Sequence, residues 1–145
     1  MSYKSNPAYD ATTDSSRVQV IQSPEDHYVP ETLADVTDGT DGTYYYYVDM
    51  DSYRKCGFQL VLDGGSGTVT VTIEATLQDD GTAMSSCTYV DVTSDVFGSA
   101  SFTASDILVD NAEALSVAKY VRVKVVANTS GADDADWTIY HKRLY

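Results

Sequence analysis

The sequence lacks several features that would each identify a class of protein. It has no apolar run as long as a membrane span and no apolar core of a secretory signal near Met1, so we expect no membrane partner and synthesis in a cytoplasm. No Lys or Arg occurs between Lys55 and Lys119, where nine carboxylates lie, and the formal net charge is -13. Because such an acidic chain repels phosphate backbones, we expect no nucleic-acid partner.

Cysteine and histidine are also scarce, with two residues of each. Cys56 and Cys87 do not have the spacing of a zinc site, and in a reducing compartment they are predicted to be buried thiols rather than a disulfide. His27 and His141 have no Ser, Cys or carboxylate arrangement nearby in the sequence that resembles a catalytic triad. We therefore predict a protein that is not an enzyme, with no catalytic residue and no cofactor.

Aspartates are abundant and cluster in two segments that could in principle bind calcium, because hard cations prefer clustered oxygen ligands. Their spacing is not that of a helix–loop–helix calcium loop, however, and Asp-Gly is an ordinary turn dipeptide. We predict turns and no metal site at these two clusters, which are Asp35, Asp38 and Asp41 in one segment and Asp133, Asp134 and Asp136 in the other.

The clearest pattern in the sequence is the alternation from Gly67 to Leu77. It predicts a strand with one buried and one solvated face. The residues on the buried parity are Val69, Val71, Ile73, Ala75 and Leu77, and Thr or Glu lies between them. Tyr120 to Asn128 alternates in the same way, with Arg122 and Lys124 outward and Val121, Val123 and Val125 inward. The valines and Ile73 are expected to share one core.

The whole pattern predicts about eight strands and almost no helix. It indicates an all-β, antiparallel two-sheet β-sandwich, jelly-roll-like in its connections. The short turn from Asp63 to Gly67 predicts that residues 52–62 form a hairpin with the strand that follows. Later segments are predicted as a strand at 89–93, a loop with a short strand over 94–105, a brief pairing at 107–109, one helical turn at 110–115 and a final strand from Trp137.

The first part of the chain has a different composition. Residues 1–43 are predicted to be an extended N-terminal arm and a long loop with one short strand at 17–22, and residues 44–145 to be the sandwich domain. Pro24, Pro30 and two Asp-Gly pairs favour a loop over 23–43. Such a segment has too few apolar residues for a core and is expected to gain order on another surface.

Tyrosine is the abundant aromatic residue, with twelve copies against one Trp and three Phe. A strand that is aromatic on both faces is either central to a sandwich or has its outer face covered by a partner. We therefore take four consecutive tyrosines as interface candidates: Tyr44, Tyr45, Tyr46 and Tyr47.

Three phrases of the second half resemble a known family. They are the Thr/Val strand at 69–76, Val90-Asp91-Val92-Thr93, and Val121-Arg122-Val123-Lys124 before a closing Trp137-Thr138-Ile139-Tyr140. In this order they are similar to small β-sandwich structural proteins of tailed bacteriophages, which decorate heads or build fibre and tail modules. The resemblance covers residues 44–145.

The resemblance implies a non-enzymatic virion protein made in the host cytoplasm and carried on the capsid exterior. In this role it decorates or cements the shell by bridging subunits of the major capsid protein, as a homo-oligomer and most often a trimer. Two alternatives remain open. One is a head-fibre or tail module that contacts the host, and the other is a glycan-binding β-sandwich whose tyrosine rings stack on sugars.

Overall fold

The part of the chain that the structure describes forms eight strands in two antiparallel sheets. The computed structural model describes residues 31–63, 67–129 and 134–145. The predicted strand at 17–22 and the arm from Met1 to Ser16 lie outside the described residues. The strands are β1 Glu31–Gly39, β2 Gly42–Asp49, β3 Lys55–Asp63, β4 Thr68–Thr76, β5 Val90–Asp91, β6 Asp106–Val109, β7 Tyr120–Asn128 and β8 Ala135–Leu144.

The strands divide equally between the sheets. The first sheet has the order β1-β8-β3-β6 and the second the order β2-β7-β4-β5. Thus β1 pairs with β8, β2 with β7, β3 with β6 and β4 with β5, and these pairs alternate between the sheets. The prediction of an all-β, two-sheet antiparallel sandwich is confirmed, whereas the finer jelly-roll assignment stays a prediction.

The core lies between the sheets, where the alternation placed it. The six residues predicted to share one core belong to a single buried cluster, so that prediction is confirmed: Val69, Val71, Ile73, Val121, Val123 and Val125. Burial of each such aliphatic side chain contributes roughly 1.5–3 kcal/mol. Cys56 and Cys87 are buried free thiols, which confirms the prediction for the cysteines.

The predicted hairpin between residues 52–62 and the following strand is wrong. β3 pairs with β8 and β6 in the first sheet, whereas β4 pairs with β7 and β5 in the second. The chain therefore crosses from one sheet to the other between these strands. A glycine-rich turn sequence is compatible with either connection, and the choice depends on which distant strands compete for the pairing.

The predicted loop over 23–43 is wrong for its second part, because Glu31–Gly39 forms β1 along β8. Residues 23–30 lie outside the described residues. Ala34 is buried, but Asp and Thr on the exposed positions hide the alternation in the sequence. Gly39 is required where it lies, since a Cβ there would overlap the ring of Trp137 and come within 2.9 Å of the Ala135 carbonyl oxygen.

The predicted strand at 89–93 is shorter than expected, with only Val90–Asp91 in β5. Thr93 begins a short helix, α1, at Thr93–Phe97, where a loop was expected. The buried Thr93 hydroxyl explains the break, because it donates to Asp91 Oδ1 at 2.6 Å and accepts from the Ile73 amide at 2.8 Å. The side chain thereby turns the chain away from the sheet edge.

The predicted helical turn after Asp110 is present as a 3₁₀ turn at Ala114–Val117. The buried Asp110 carboxylate accepts hydrogen bonds from the amides of Ala114 and Leu115 at 2.9 and 2.8 Å. In this way the carboxylate caps otherwise unsatisfied donors of the turn. Among the described residues, no helix is both long and apolar enough to cross a membrane.

The faces of β4 differ from the prediction at its C-terminal end. Leu77, expected to be inward, lies beyond the strand and is 69% exposed. Glu74 and Thr76, expected to be solvated, are 8% and 7% exposed. Since Glu74 still points outward, something on the outer face of the second sheet must cover it.

Candidate interaction face of the second sheet

The cover over Glu74 is a cluster of tyrosines and one arginine on the outer face of the second sheet. The strand register places Tyr47 beside Arg122 and Arg122 beside Glu74, in a row that crosses β2, β7 and β4. Tyr45 lies one outward position further along β2, and Tyr89 reaches over from the segment before β5. We call this cluster the tyrosine–arginine face: Tyr45, Tyr47, Glu74, Tyr89 and Arg122.

Arg122 forms a two-pronged ion pair with Glu74. Its Nε lies 3.2 Å from Glu74 Oε2, and its Nη2 lies 3.3 Å from Glu74 Oε1. The two side chains are only 17% and 11% exposed. A paired fork of this kind satisfies a largely buried carboxylate and fixes the plane of the guanidinium.

The same guanidinium is packed between two aromatic rings. Arg122 Cζ lies 4.3 Å from the Tyr45 ring centroid and 4.2 Å from that of Tyr89. Tyr89 in turn contacts Tyr47 with ring centroids 6.0 Å apart and donates its hydroxyl proton to the Met84 carbonyl at 2.9 Å. The rings are therefore held in place before any partner arrives, which lowers the entropy cost of binding.

The electrostatics of the face follow from this packing. Burial opposes the charge of Arg122, but the hydrogen bond and charge of Glu74 outweigh it and raise the pKa of the guanidinium. Burial also raises the pKa of Tyr89 to about 12. The face thus carries an internally neutralised ion pair beside the neutral phenol of Tyr89, in a chain with a formal net charge of -13.

The four interface candidates are divided by the pleat of β2. Tyr45 and Tyr47 point outward into the tyrosine–arginine face, and Tyr45 is 42% exposed. Tyr44 and Tyr46 point inward and pack against the core. β2 is an edge strand of its sheet, so it is not a central strand.

The two inward tyrosines are held by Trp137 of the opposite sheet. The rings of Tyr44 and Trp137 are 4.9 Å apart, and the Tyr44 hydroxyl donates to the Thr40 carbonyl at 3.0 Å. The Trp137 indole donates to the Tyr46 hydroxyl at 3.1 Å. These two tyrosines are half-buried against the core and have hydrogen-bonded polar ends, and their role as interface residues stays a prediction.

Among the described residues, aspartates of the two clusters accept hydrogen bonds from amide or hydroxyl groups that lie far away in the sequence. Asp41 accepts hydrogen bonds from the amide and hydroxyl of Thr129, which lowers the pKa of its carboxyl. Asp136 accepts from the Asp38 amide at 2.8 Å, and Asp35 accepts from the Thr138 hydroxyl at 3.2 Å. Across residues 31–63, 67–129 and 134–145, no group of three or more His, Cys, Asp or Glu side chains is placed to hold a metal ion.

Of the two histidines, His27 lies outside the described residues and His141 is buried on the inner side of β8. His141 Nε2 lies 3.2 Å from Glu31 Oε1 without hydrogen-bond geometry, so neither ring nitrogen has a hydrogen-bond partner among the described residues. Burial lowers the pKa of the ring, and Glu31 partly offsets this. The histidine is 6% exposed, which leaves little room for it to reach a substrate.

Sequence reasoning missed three members of the face as site residues: Glu74, Tyr89 and Arg122. The outward position of Arg122 was predicted, but its partner was not, because Glu74 lies 48 positions away. The signal in the sequence was the single acidic residue that interrupts an otherwise Thr-only outward row on β4.

No protein-family model matches the chain, and no curated protein matches it.

Proposed function

We propose that this chain is a non-enzymatic structural protein of a tailed-bacteriophage particle, which decorates or cements the capsid by binding the major capsid protein. The observation that carries the proposal is the tyrosine–arginine face, a sheet surface on which tyrosine rings pack against Arg122. Tyr and Arg are enriched in protein–protein interfaces and among the residues that dominate binding energy. The resemblance of residues 44–145 to phage β-sandwich proteins supports the same function.

The size of the face indicates that it needs help from another element. The three long strands of this sheet have eight or nine residues, and at about 4.8 Å between strands and about 3.3 Å per residue they give a footprint of about 400 Å². A stable interface covers roughly 800 Å² on each partner. The arm from Met1 to Ser16 and a second copy of the chain are our proposed sources of the remaining area, which fits a homotrimer on the capsid exterior.

The first test is association with particles. Phage particles purified on a density gradient are expected to contain the chain at a fixed copy number per capsid. Recombinant chain is expected to bind again to particles from which it has been stripped. Absence of the chain from purified particles would contradict the proposal outright, whereas its presence on isolated tails would select the alternative of a tail or fibre module.

The second test asks which surface binds. Tyr45→Ser removes the most exposed ring of the face and is expected to abolish binding to stripped particles. The matched control is Val61→Ser, which removes an apolar side chain of similar exposure (39% against 42%) from the outer face of the first sheet. Equal binding by the two variants would show that the tyrosine–arginine face is not the contact surface.

The third test concerns the arm. Deletion of Met1 to Ser16 is expected to leave a folded, soluble domain that no longer binds stripped particles, because the arm supplies area that the face lacks. Full occupancy by the truncated chain would place attachment on the sandwich alone.

A glycan-binding module is the second candidate, favoured by one observation. Tyr45 keeps 42% of its surface exposed beside the charged groups of Arg122 and Glu74, and a ring next to polar groups is suited to stacking on a sugar. Titration of the chain with mono- and oligosaccharides, followed by chemical shifts of the tyrosine rings, distinguishes the two. Saturable shifts at Tyr45 with loss of particle binding would favour the glycan module.

A further inference from the structure

The edge strands of the two sheets, in the part of the chain that the structure describes, differ in how well they are protected against pairing with a further strand. An exposed edge is a template for another strand, and proteins commonly protect it with short strands, bulges, lysine or proline. In the first sheet, β6 has only four residues, and the register of β1 with β8 is interrupted twice. In the second sheet, β5 has only two residues. These three edges are therefore poor templates.

The fourth edge strand, β2, has none of these protections among the described residues. It has eight residues, and its register with β7 runs from Gly42 to Asp49 without an irregularity. It contains no lysine and no proline, and its only charged residue is Asp49 at the end. A long and regular edge of this kind indicates that another strand pairs with it.

A hydrogen bond just beyond β2 shows which backbone groups of the strand face away from β7. The Met50 amide donates to the Lys119 carbonyl at 3.0 Å. This pair continues the register in which Asp49 lies opposite Tyr120. Hydrogen-bonded pairs alternate with non-hydrogen-bonded pairs along an antiparallel ladder. The even-numbered residues of β2 therefore bond to β7, and the odd-numbered residues direct their amide and carbonyl to the open edge.

Three residues on the open edge keep both of these groups without a partner among the described residues. The Asp49 carbonyl is already occupied, because it accepts from Arg143 Nη1 at 2.8 Å. No hydrogen bond within the described part of the chain involves the amide or carbonyl of the other odd-numbered residues, which are Thr43, Tyr45 and Tyr47. Their free groups are placed symmetrically about Tyr45, which is 42% exposed.

We propose that β2 pairs antiparallel with β2 of a second copy about a twofold axis at Tyr45, so that the two second sheets become one continuous sheet. In this register Thr43 lies opposite Tyr47 of the second copy, and every free amide and carbonyl of the edge finds a partner. A second copy is the occupant because it places another tyrosine–arginine face on the same side of the sheet. The combined footprint of about 800 Å² then reaches the size of a stable interface, which one face does not. This area argument rests on the proposed function, whereas the twofold pairing itself requires no capsid and is separate from the threefold contact of the proposed trimer.

Engineered cysteines in the purified full chain test the register, in high salt that screens the repulsion between two chains of net charge -13. Opposite residues of a hydrogen-bonded pair have Cα atoms about 5.5 Å apart, within the range that a disulfide bridges. Thr43→Cys chains mixed with Tyr47→Cys chains are therefore expected to form a mixed disulfide dimer under mild oxidation. Neither variant alone should link to itself, because identical residues at these positions lie about 13 Å apart in the proposed pair. Equal linking of each variant with itself, or no mixed dimer, would overturn the pairing and leave the proposed function as it stands, because no particle is present.

A matched pair of substitutions tests the backbone hydrogen bonds of the open edge. In a chain with Tyr45→Cys, which is expected to link to its own copy on the twofold axis, Thr43→Pro should lower the yield of the disulfide dimer about tenfold. Proline removes the amide that faces the second copy but no amide that bonds to β7. Thr43→Ala is the control, since it shortens the side chain, retains the amide and should leave the yield unchanged. Circular dichroism checks that both variants are folded, and the mixed disulfide decides the question if Thr43→Pro is not. An unchanged yield in folded Thr43→Pro would overturn the proposal.

Discussion

The outer faces of the two sheets differ in how far their own side chains cover them. Side chains of the second sheet and of the segment before β5 cover its outer face, because Arg122 binds Glu74 and packs against the rings of Tyr45 and Tyr89. The outer face of the first sheet has a mostly apolar depression around Gly57 instead. On its inner side the first sheet buries His141, whose ring nitrogens lack hydrogen-bond partners among the described residues.

The difference shows how side-chain length decides what a sheet surface can bind. Long residues with polar ends cover their neighbours and keep those ends satisfied, so the second face is stable in water and still offers rings to a partner. Where a glycine replaces such a side chain, as at Gly57 of the first sheet, a depression remains. The rings that stay exposed on the second face are the surface to which our proposed function assigns the partner.

The substitution with the largest expected effect tests whether both sheets depend on one shared core. Ile73 and Thr72 are adjacent on β4, the first fully buried and the second on the outer face. Ile73→Asp places a carboxylate in the core at a cost of several kcal/mol, comparable with the whole stability of a domain, and is expected to abolish folding. Thr72→Asp is expected to fold, as measured by circular dichroism and urea unfolding. Equal tolerance would contradict the buried position of Ile73.

The next effect tests the charge pair of the second face. Glu74→Ala leaves the guanidinium of Arg122 largely buried without its partner, and we expect a loss of about 2–3 kcal/mol in the free energy of unfolding in urea. The control, Asp79→Ala, removes the exposed partner of Lys119 at 3.6 Å and should leave the free energy of unfolding nearly unchanged, because water screens a surface pair. Similar losses in the two variants would show that the pair on the face is no better shielded than a surface pair.

A smaller effect tests the buried histidine of the first sheet. Burial lowers the pKa of His141 below its ordinary value of 6.5. There is therefore a pH range in which the ring binds a proton in the unfolded chain but not in the folded chain. The contribution of His141 to stability is therefore complete above the unfolded pKa and is lost as the pH falls below it. We expect the urea midpoint to drop between pH 7.5 and 5.5.

Two substitutions test whether His141 causes this drop in the urea midpoint. His141→Gln should remove it, whereas His27→Gln should leave it in place. A drop that persists in His141→Gln would mean that another group carries the pH dependence.

The smallest effect concerns the thiol of Cys56, which lies in the core between the two sheets. Burial raises the pKa of Cys56 to about 12, so almost no thiolate is present at neutral pH. We expect Cys56 to resist alkylation by iodoacetamide until the chain is unfolded in urea, with no change of melting temperature on adding reductant. Rapid labelling in the folded chain, detected by mass spectrometry, would place the thiol at the surface.

The sequence by itself determined the class of fold and the composition of the core. The alternation on β4 and β7 was sufficient, because burial acts residue by residue along a strand and leaves a period of two. For the same reason the inward direction of Val121, Val123 and Val125 was correct. Two scarce thiols in a chain without zinc spacing were likewise correctly expected to be free.

Only the tertiary structure decided which strands are neighbours. The strand pairing in turn decided which residues form the tyrosine–arginine face. The pairing of Tyr47 with Arg122 and of Arg122 with Glu74 depends on a register between strands far apart in the chain. Sequence alternation carries no information about that register, since a strand satisfies its own period beside any partner. For the same reason β1 was predicted as a loop and β3 and β4 were predicted as a hairpin. Turn residues determine where the chain bends but not which sheet it joins.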